Sequence, residues 1–361
     1  MSARPSWRDT RPVLITGGAG FVATNVAHRL LSAGRPVILF DNLSRAGVEQ
    51  NVEWLRATHG RLVQLQRGDV RDVDAVKRVV RGAGRVFHFA AQVAVTTSLV
   101  DPFLDFEVNA RGTLNLLEAV RACDDPPPVL FTSTNKVYGD LEDVGLQKAA
   151  TRYQPSDATL RRRGISEARC LEFHSPYGCS KGVAEQYVLD YARTFDLRTV
   201  VFRMSCIYGP HQFGTEDQGW VAHFLIAAMN GDPLTIYGDG LQVRDILFVE
   251  DLVDAMLLAQ SRIDDISGHA FNIGGGPANT TSLVELLDLI GELRGERPLA
   301  NVEPWRPADQ RYYVSDTRRF QQATGWAPRT SVREGVARLH EWLASTRLEA
   351  APLRAAAGRA S

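Results

Sequence analysis

Tyr177 and Lys181, in the run Tyr177-Gly178-Cys179-Ser180-Lys181, stand four residues apart, so one turn of helix would carry both on the same face. A lysine ammonium beside a phenol lowers the phenol pKa, which makes a tyrosinate available as a base near neutral pH. Alone, such a pair is common on helices and mostly decorative. A second run gives it meaning. Phe131-Thr132-Ser133-Thr134 closes an apolar stretch, and Thr134 could donate to the same hydroxyl oxygen that Tyr177 deprotonates. Taking the proton from an alcohol while hydride leaves its carbon is an oxidation, and it requires a hydride acceptor.

The N-terminal end offers a place for one. Thr16-Gly17-Gly18-Ala19-Gly20-Phe21-Val22-Ala23 follows an apolar run and opens a helical pattern. Small residues there let the backbone turn tightly, so that helix N–H groups can approach a pyrophosphate. Ala23 replaces the third glycine of the usual fingerprint, a small change in helix–strand packing. Asp41 ends the second apolar run, 21 residues beyond Gly20, where a carboxylate can accept from the adenosine ribose hydroxyls. An acid there repels a 2′-phosphate and so favours NAD, although Arg45 lies four residues on. In Gly68-Asp69-Val70, Asp69 could bond the adenine amino group while Val70 lines the ring; the alternative is a plain strand-ending aspartate. Ala90-Ala91-Gln92-Val93-Ala94 follows the fourth apolar run, at the edge where such sheets bind ligands. His88, just before it, reads as a core histidine rather than a catalytic one.

These groups need a scaffold. Pro12–Thr16, Pro36–Phe40, Leu62–Leu65, Arg85–Phe89 and Val129–Thr132 read as buried strands, separated by helical patterns such as Phe21–Ser32 and Asp105–Ala122. This alternation predicts an α/β fold, a Rossmann doubly wound parallel sheet. After residue 140 the rhythm breaks into a long, polar, Arg-rich segment, Leu141–Ser175, of the kind that is usually functional. Tyr177–Thr194 then reads as a helix and Arg198–Arg203 as a strand. Gly-Pro, Gly-Asp and Gly-Gly punctuation beyond Gly209 predicts a smaller C-terminal α/β substrate lobe. The expected organisation is an extension at 1–11, a mainly NAD-binding domain at 12–208, a mainly substrate-binding lobe at 209–345 with some exchanged segments, and a disordered, Ala-rich tail at 346–361.

Composition narrows the class further. Across 361 residues, 41 Lys+Arg against 42 Asp+Glu leave a formal charge of −1, without the basic excess of a nucleic-acid binder. At 44% hydrophobic and 23% charged, the chain is ordinarily globular. Its length buries roughly 75% of the unfolded surface, so no metal or disulfide staple is required. The four cysteines, Cys123, Cys170, Cys179 and Cys206, form no C-x-x-C pair and no zinc-like ladder, so reduced thiols and no metal are expected. The first residues lack the apolar segment of a secretory signal, and no run of about 18 apolar residues suggests a membrane span. A cytoplasmic location is the expectation, with the sequons at Asn42 and Asn279 read as chance.

The strings TGGAGFVA, DN, GDVRD, AAQVA, NARGT (Asn109–Thr113), YGCSK and VRDILFVED (Val243–Asp251) together resemble the extended short-chain dehydrogenase/reductase family, whose members act on nucleotide sugars. The resemblance runs from about Pro12 to Trp342. Within the family, QVAVTTS (Gln92–Ser98), STNKVYGDLE (Ser133–Glu142), FHSPYGCSKG (Phe173–Gly182), DQGWV (Asp217–Val221) and DQR (Asp309–Arg311) resemble the CDP-sugar 2-epimerases. The resemblance implies NAD held by Gly17, Gly20, Phe21, Val22, Asp41, Asn42, Asp69, Val70, Ala90, Ala91, Gln92, Asn109 and Thr132, together with Tyr177 and Lys181. Thr134, Tyr177 and Lys181 would be catalytic. Substrate would meet Thr134, Asn135, Lys136, Gln218, Trp220, Arg244 and Arg311, the two arginines gripping a diphosphate through forked bonds. For those arginines a surface or interdomain ion pair is the alternative, for Lys136 a surface position, and for Trp220 core packing in place of stacking on a base.

Related 4,6-dehydratases carry an Asp-Glu pair after the threonine, where this chain has Asn135-Lys136. An amide and an ammonium cannot do that carboxylate chemistry. The resemblance therefore implies an isomerase that inverts C2 of a hexose through a 2-keto intermediate, on a CDP-sugar such as CDP-paratose or CDP-glucose. The alternatives are a 4-epimerase or decarboxylase of UDP-sugars, and a non-catalytic dinucleotide-binding regulator, which would typically have lost the Tyr or the Lys. The chain departs from the family pattern at Met204-Ser205-Cys206 and over Leu160–Cys170, near the expected sugar and base. A homodimer, or else a tetramer, is implied, built on helices Asp105–Ala122 and Tyr177–Thr194.

Overall fold

The computed structural model describes residues 9–306 and 309–357, with side chains to residue 346. Most of the expected extension at 1–11 lies outside the described residues. Five strands open the chain, β1 (Val13–Thr16), β2 (Val37–Asp41), β3 (Val63–Arg67), β4 (Arg85–His88) and β5 (Val129–Thr134). With Thr199–Met204 and His269–Ile273 they form a seven-stranded sheet, in the order His269–Ile273, Thr199–Met204, β5, β4, β1, β2, β3. Every pairing in it is parallel. Helices cover both faces, which is why β1 and β5 are buried along their whole length rather than alternating. One face packs on Phe21–Ser32, Glu49–His59 and Val249–Ser261, the other on Val73–Arg81, Gly112–Arg121 and Ser175–Phe195.

The strand order reverses between β1 and β4, and the crevice beyond their carboxyl ends is where a doubly wound sheet binds ligand. A second core lies around helices Trp220–Asn230, Leu283–Arg294 and Val332–Ala357, under strands Leu234–Tyr237 and Val243–Phe248. The chain crosses between the two regions: His269–Ile273, Phe320 and Trp326 belong to the first core although they follow residue 209.

Several elements differ in detail from the sequence reading. The expected single helix Asp105–Ala122 is broken into Pro102–Phe106, a π-helical turn Glu107–Arg111, and Gly112–Arg121. The turn brings Asn109 into contact with the loop after β4. The polar segment 141–175 contains a small hairpin, Leu146–Lys148 with Tyr153–Pro155, and the helix Ala158–Arg163. Its missing periodicity follows from its packing, since Ile165 and Leu141 cover Tyr138 and Tyr313 in a local cluster rather than one continuous face. Helical backbone continues to Ala357, where disorder was expected from 346; Ala, Leu, Arg and Glu favour helix once the packed turns at Val336, Leu339 and Leu343 nucleate it. Residues 358–361 lie outside the described residues.

Candidate active site

The glycine loop sits at the crevice, and its residue types follow from contact distances. A Cβ on Gly17, whose φ is +65°, would lie 2.7 Å from the Ala90 backbone nitrogen, and one on Gly18 would lie 2.7 Å from Leu39 Cα. Helix Phe21–Ser32 begins at Gly20 with no side-chain cap and no acid in its first turn, so its N-terminal N–H groups and dipole favour an anion. Asp41 closes the far side: its carboxylate accepts from the Ala19 N–H at 3.0 Å and the Leu43 N–H at 2.8 Å. Asn51, unflagged in the sequence, is buried and donates to the Ala19 carbonyl at 3.0 Å. A backbone cradle free of side chains, a bare helix N-terminus and a rim carboxylate match a dinucleotide with free ribose hydroxyls, and so these residues fit NAD.

Other expected cofactor residues divide into those on the crevice wall and those that brace it. Asp69 accepts from Asn42 Nδ2 at 2.9 Å and pairs with Arg71, whose hydrogen bonds bring its pKa down to about 2. Val70 is buried against Gly112, where an added Cβ would lie 2.7 Å away. Asn109 spends both ends of its amide on the Gln92 backbone, accepting from its N–H at 2.9 Å and donating to its carbonyl at 3.0 Å. It fixes the loop Ala90–Ala94 and has little left to offer a ligand directly. Gln92 folds back on Ala94. The Ala90 N–H donates to Thr16 Oγ1 at 3.2 Å, and Thr132 Oγ1 bonds the His88 carbonyl at 3.3 Å. His88 lies between the hydroxyls of Thr16 and Thr113, at 2.6 and 3.0 Å, and burial presses its pKa to about 3. It is a neutral core histidine.

The helix Ser175–Phe195 buries Tyr177, Ser180, Lys181 and Glu185 along one stripe facing β5. The Thr134 hydroxyl hydrogen-bonds the Tyr177 phenol, and Lys181 is buried one helical turn further along. Their electrostatics reverse the sequence expectation. Burial pushes the phenol up to about 12, outweighing the Thr134 bond that lowers it, and Asp105 adds to the rise. Burial also presses Lys181 down to about 7, against the upward pull of Asp105 and Glu185. Lys181 Nζ stands 4.2 Å from the centre of the Phe131 ring. In the protein alone desolvation therefore dominates, and the ammonium does not bring the phenol to neutral pH.

Thr134, Asn135, Lys136, Tyr177, Gln218, Trp220 and Arg244 all line one cavity of about 430 Å³, as do Phe21 and Val22 from the glycine-loop helix. Asn135 is held by Gln310, whose own amide donates to the Gly139 carbonyl. Arg244 is largely buried and pairs with Asp309 at 2.7 Å; Lys136 Nζ is 4.0 Å from the same carboxylate. Burial and the neighbouring Arg244 press Lys136 down to about 8. Trp220 answers both of its readings, since it faces the cavity and also packs edge-on against Phe224. Its side chain hydrogen-bonds Cys206.

Arg311 is the exception. It is exposed outside the cavity lining, with its guanidinium 5.4 Å from the Trp305 ring and 5.9 Å from that of Tyr153. The neighbouring Gln310 is fully buried beneath Gly139, and that anchor leaves Arg311 turned outward. The arginine that does enter is Arg306, 3.8 Å over the Tyr237 ring and paired with Glu216 and Asp217. Sequence reasoning missed Arg306 and Gln242, and quoted Asp309 in the DQR run without giving it a role; the position of Arg306, three residues ahead of that run, is the signal that could have found it. Among the described residues no three His, Cys, Asp or Glu side chains gather as a metal site.

Comparison with known proteins agrees with this geometry. The sequence model of the NAD dependent epimerase/dehydratase family matches residues 13–274. CDP-paratose 2-epimerase of Salmonella typhi is 44% identical over 340 residues, spanning 92% of this chain and 99% of that protein. The UDP-glucose 4-epimerase of Thermotoga maritima, solved with UDP-glucose, superposes with a TM-score of 0.78 at 30% identity, covering 93% of this chain and 99% of its own. That of Thermus thermophilus, solved in complex with NAD, gives 0.76 at 31% identity, with 92% and 98% covered.

Proposed function

The chain belongs to the NAD dependent epimerase/dehydratase family, and from that premise we propose that it is a nucleotide-sugar 2-epimerase, inverting C2 of the hexose of a CDP-sugar such as CDP-paratose or CDP-glucose. The observation that carries this reading is the 44% identity to CDP-paratose 2-epimerase across nearly the full length of both chains. The cavity supports it: beside Thr134 stand the amide of Asn135 and the ammonium of Lys136, and the nearby Asp309 carboxylate is paired with Arg244. Proton donation and acceptance by an Asp-Glu pair, as water loss would need, has no equivalent at positions 135 and 136.

Gly17–Val22, Asp41 and the loop Ala90–Gln92 would hold NAD, which would supply a reversible hydride acceptor. The chain's own residues manage the proton and the orientation. Tyr177 takes the C2 hydroxyl proton as the carbon is oxidised, and returns it after the 2-keto sugar has turned its other face. Thr134 donates to the same oxygen and keeps it in line with the phenol. Lys181, buried one helical turn from Tyr177, favours the phenolate as charge develops there. Lys136 and Arg244 hold the anionic diphosphate, while Gln218 and Trp220 line the far wall and confine the sugar's rotation. Arg306 takes the second diphosphate contact in place of Arg311.

A homodimer completes the reading, with a tetramer as the higher assembly. Val100 and Phe103 are 85% and 83% exposed, and Phe106, Tyr187 and Phe195 lie open on the same helical layer, an apolar surface that a second copy would cover. Light scattering should give twice the chain mass, and Phe103→Glu should halve it. Among the described residues no helix is long and apolar enough to cross a membrane. The four free thiols suit the reducing cytoplasm.

The deciding experiment offers the purified enzyme CDP-, GDP-, UDP- and dTDP-hexoses in deuterated water and follows products by NMR. Inversion at C2 of a CDP-sugar without carbon-bound deuterium is expected. Inversion at C4 of UDP-glucose, or label at C5 or C6, would overturn the assignment.

A further inference from the structure

Asp105 has no part in the steps above, yet it is fully buried beside the pair that performs them. It lies on the short helix Pro102–Phe106, just before the π-helical turn that breaks the expected long helix. Its carboxylate gathers donors from three separate elements. Ser180 Oγ, on the catalytic helix between Tyr177 and Lys181, donates to Oδ2. Gln92 Nε2, from the loop after β4, donates to Oδ1 at 2.7 Å, and Asn109 Nδ2, from the π-helical turn, at 3.2 Å. Ser180 is also bonded by Asn109 at 3.0 Å, so the four side chains close into one cluster. Burial raises the Asp105 pKa, and the three donors, together with the Lys181 charge, work against that rise and favour the carboxylate.

The surroundings leave few other charges to do what Asp105 does. The catalytic helix contributes Tyr177, Lys181 and Glu185; Glu185 is committed to Arg203 and Ser133. Strand β4 contributes His88, which burial keeps neutral. Strand β5 contributes the Phe131 ring under Lys181 and the Thr134 hydroxyl on Tyr177, neither of them charged. Resting on the assignment of Tyr177 and Lys181 as the working pair, we propose that Asp105 is a positioning residue for the reaction: its buried negative charge sets the protonation balance of that pair, and its three hydrogen bonds lock the catalytic helix to the loop Ala90–Ala94.

The charge has a definite sign of effect. A carboxylate raises the proton affinity of both the lysine and the phenol, and both groups carry that upward influence here. Replacing it by a neutral amide lowers both together, so the whole pH–rate profile moves to lower pH without changing shape. A purely structural role would reduce rate or stability and leave the profile where it was.

The test compares pH profiles of kcat for wild type, Asp105→Asn and Ser180→Ala, with Tyr177→Phe alongside. Asp105→Asn is expected to shift both limbs down by about one pH unit, the order of a single charge removed at close range. Ser180→Ala keeps the carboxylate but withdraws one donor, and is expected to shift the profile the same way by less. If Asp105→Asn does not fold, the Ser180→Ala profile decides. An unmoved profile in the folded variants, with Tyr177→Phe inactive, overturns the role of Asp105 alone. Turnover surviving in Tyr177→Phe overturns the catalytic assignment on which it rests.

Discussion

Removing the Glu185 carboxylate should unfold the enzyme at a markedly lower temperature, and the structure says by how much. Glu185 sits one turn beyond Lys181 with no exposed surface, paired with Arg203, whose side chain is 6% exposed. It accepts from Arg203 Nε at 2.9 Å and from Ser133 Oγ at 2.6 Å. Arg203 Nη1 in turn donates to the Tyr138 hydroxyl at 2.8 Å, which donates to Asn272 at 2.7 Å. Glu185→Ala leaves a buried guanidinium without its counter-charge, a loss of about 3–5 kcal/mol. At the few degrees per kcal/mol usual for large domains, Tm falls by roughly 5–10 °C. Arg203→Met should cost a similar amount, since it strands the carboxylate. The double variant Glu185→Ala/Arg203→Met removes both charges, and should cost no more than either single variant, well short of the sum of the two. Calorimetry of the four proteins completes the cycle. Single-variant costs below about 1 kcal/mol, or costs that simply add, would refute the buried pair as the link between catalytic helix and sheet. Because Ser133 precedes Thr134, the Glu185→Ala enzyme should also lose kcat at temperatures where it is still folded.

Three further outcomes follow from single sites. Gly17→Ala places a Cβ 2.7 Å from the Ala90 nitrogen at a φ of +65°, so the left-handed strain alone, about 1–2 kcal/mol, should lower Tm, and NAD recovered on denaturation should drop sharply. Lys136→Met should raise KM for the nucleotide sugar about tenfold at unchanged NAD content. Because Lys136 loses its proton near pH 8, the wild-type KM should climb through that pH while the variant stays flat. His211, its ring tilted against that of Trp54 with centroids 4.0 Å apart, is pressed by burial to about 4, below the ordinary value near 6.5. The folded state thus prefers neutral His211, and the stability it contributes is complete above about pH 6.5 and lost as pH falls towards 4. Tm measured across that window should decline in the wild type and less so in His211→Gln.

Local chemistry explains what was legible. The glycine loop, Asp41 and the Tyr177–Lys181 spacing are visible because each depends on a short stretch of backbone: a turn that admits no Cβ, a strand end, one turn of helix. Strand–helix alternation likewise announces a parallel sheet, since buried strands must be continuously apolar. Asn109 and Gln92 were visible as motif residues, but their work of bracing the loop depends on a π-helical turn that no periodicity reveals. Arg306 and Arg311 differ by five positions in an irregular segment, and only the anchoring of Gln310 under Gly139 decides which of them faces the cavity.

The sequence by itself determined the fold class, the cofactor crevice and the candidate trio Thr134, Tyr177 and Lys181, because those follow from residue type and short-range spacing. The tertiary structure decided the electrostatics. It placed the phenol and ammonium in a desolvated layer where burial dominates both, and brought Asp105 and Glu185 from distant or unremarked positions to act on Lys181. Desolvation and charge proximity depend on what surrounds a group in three dimensions, and one-dimensional spacing carries no record of that.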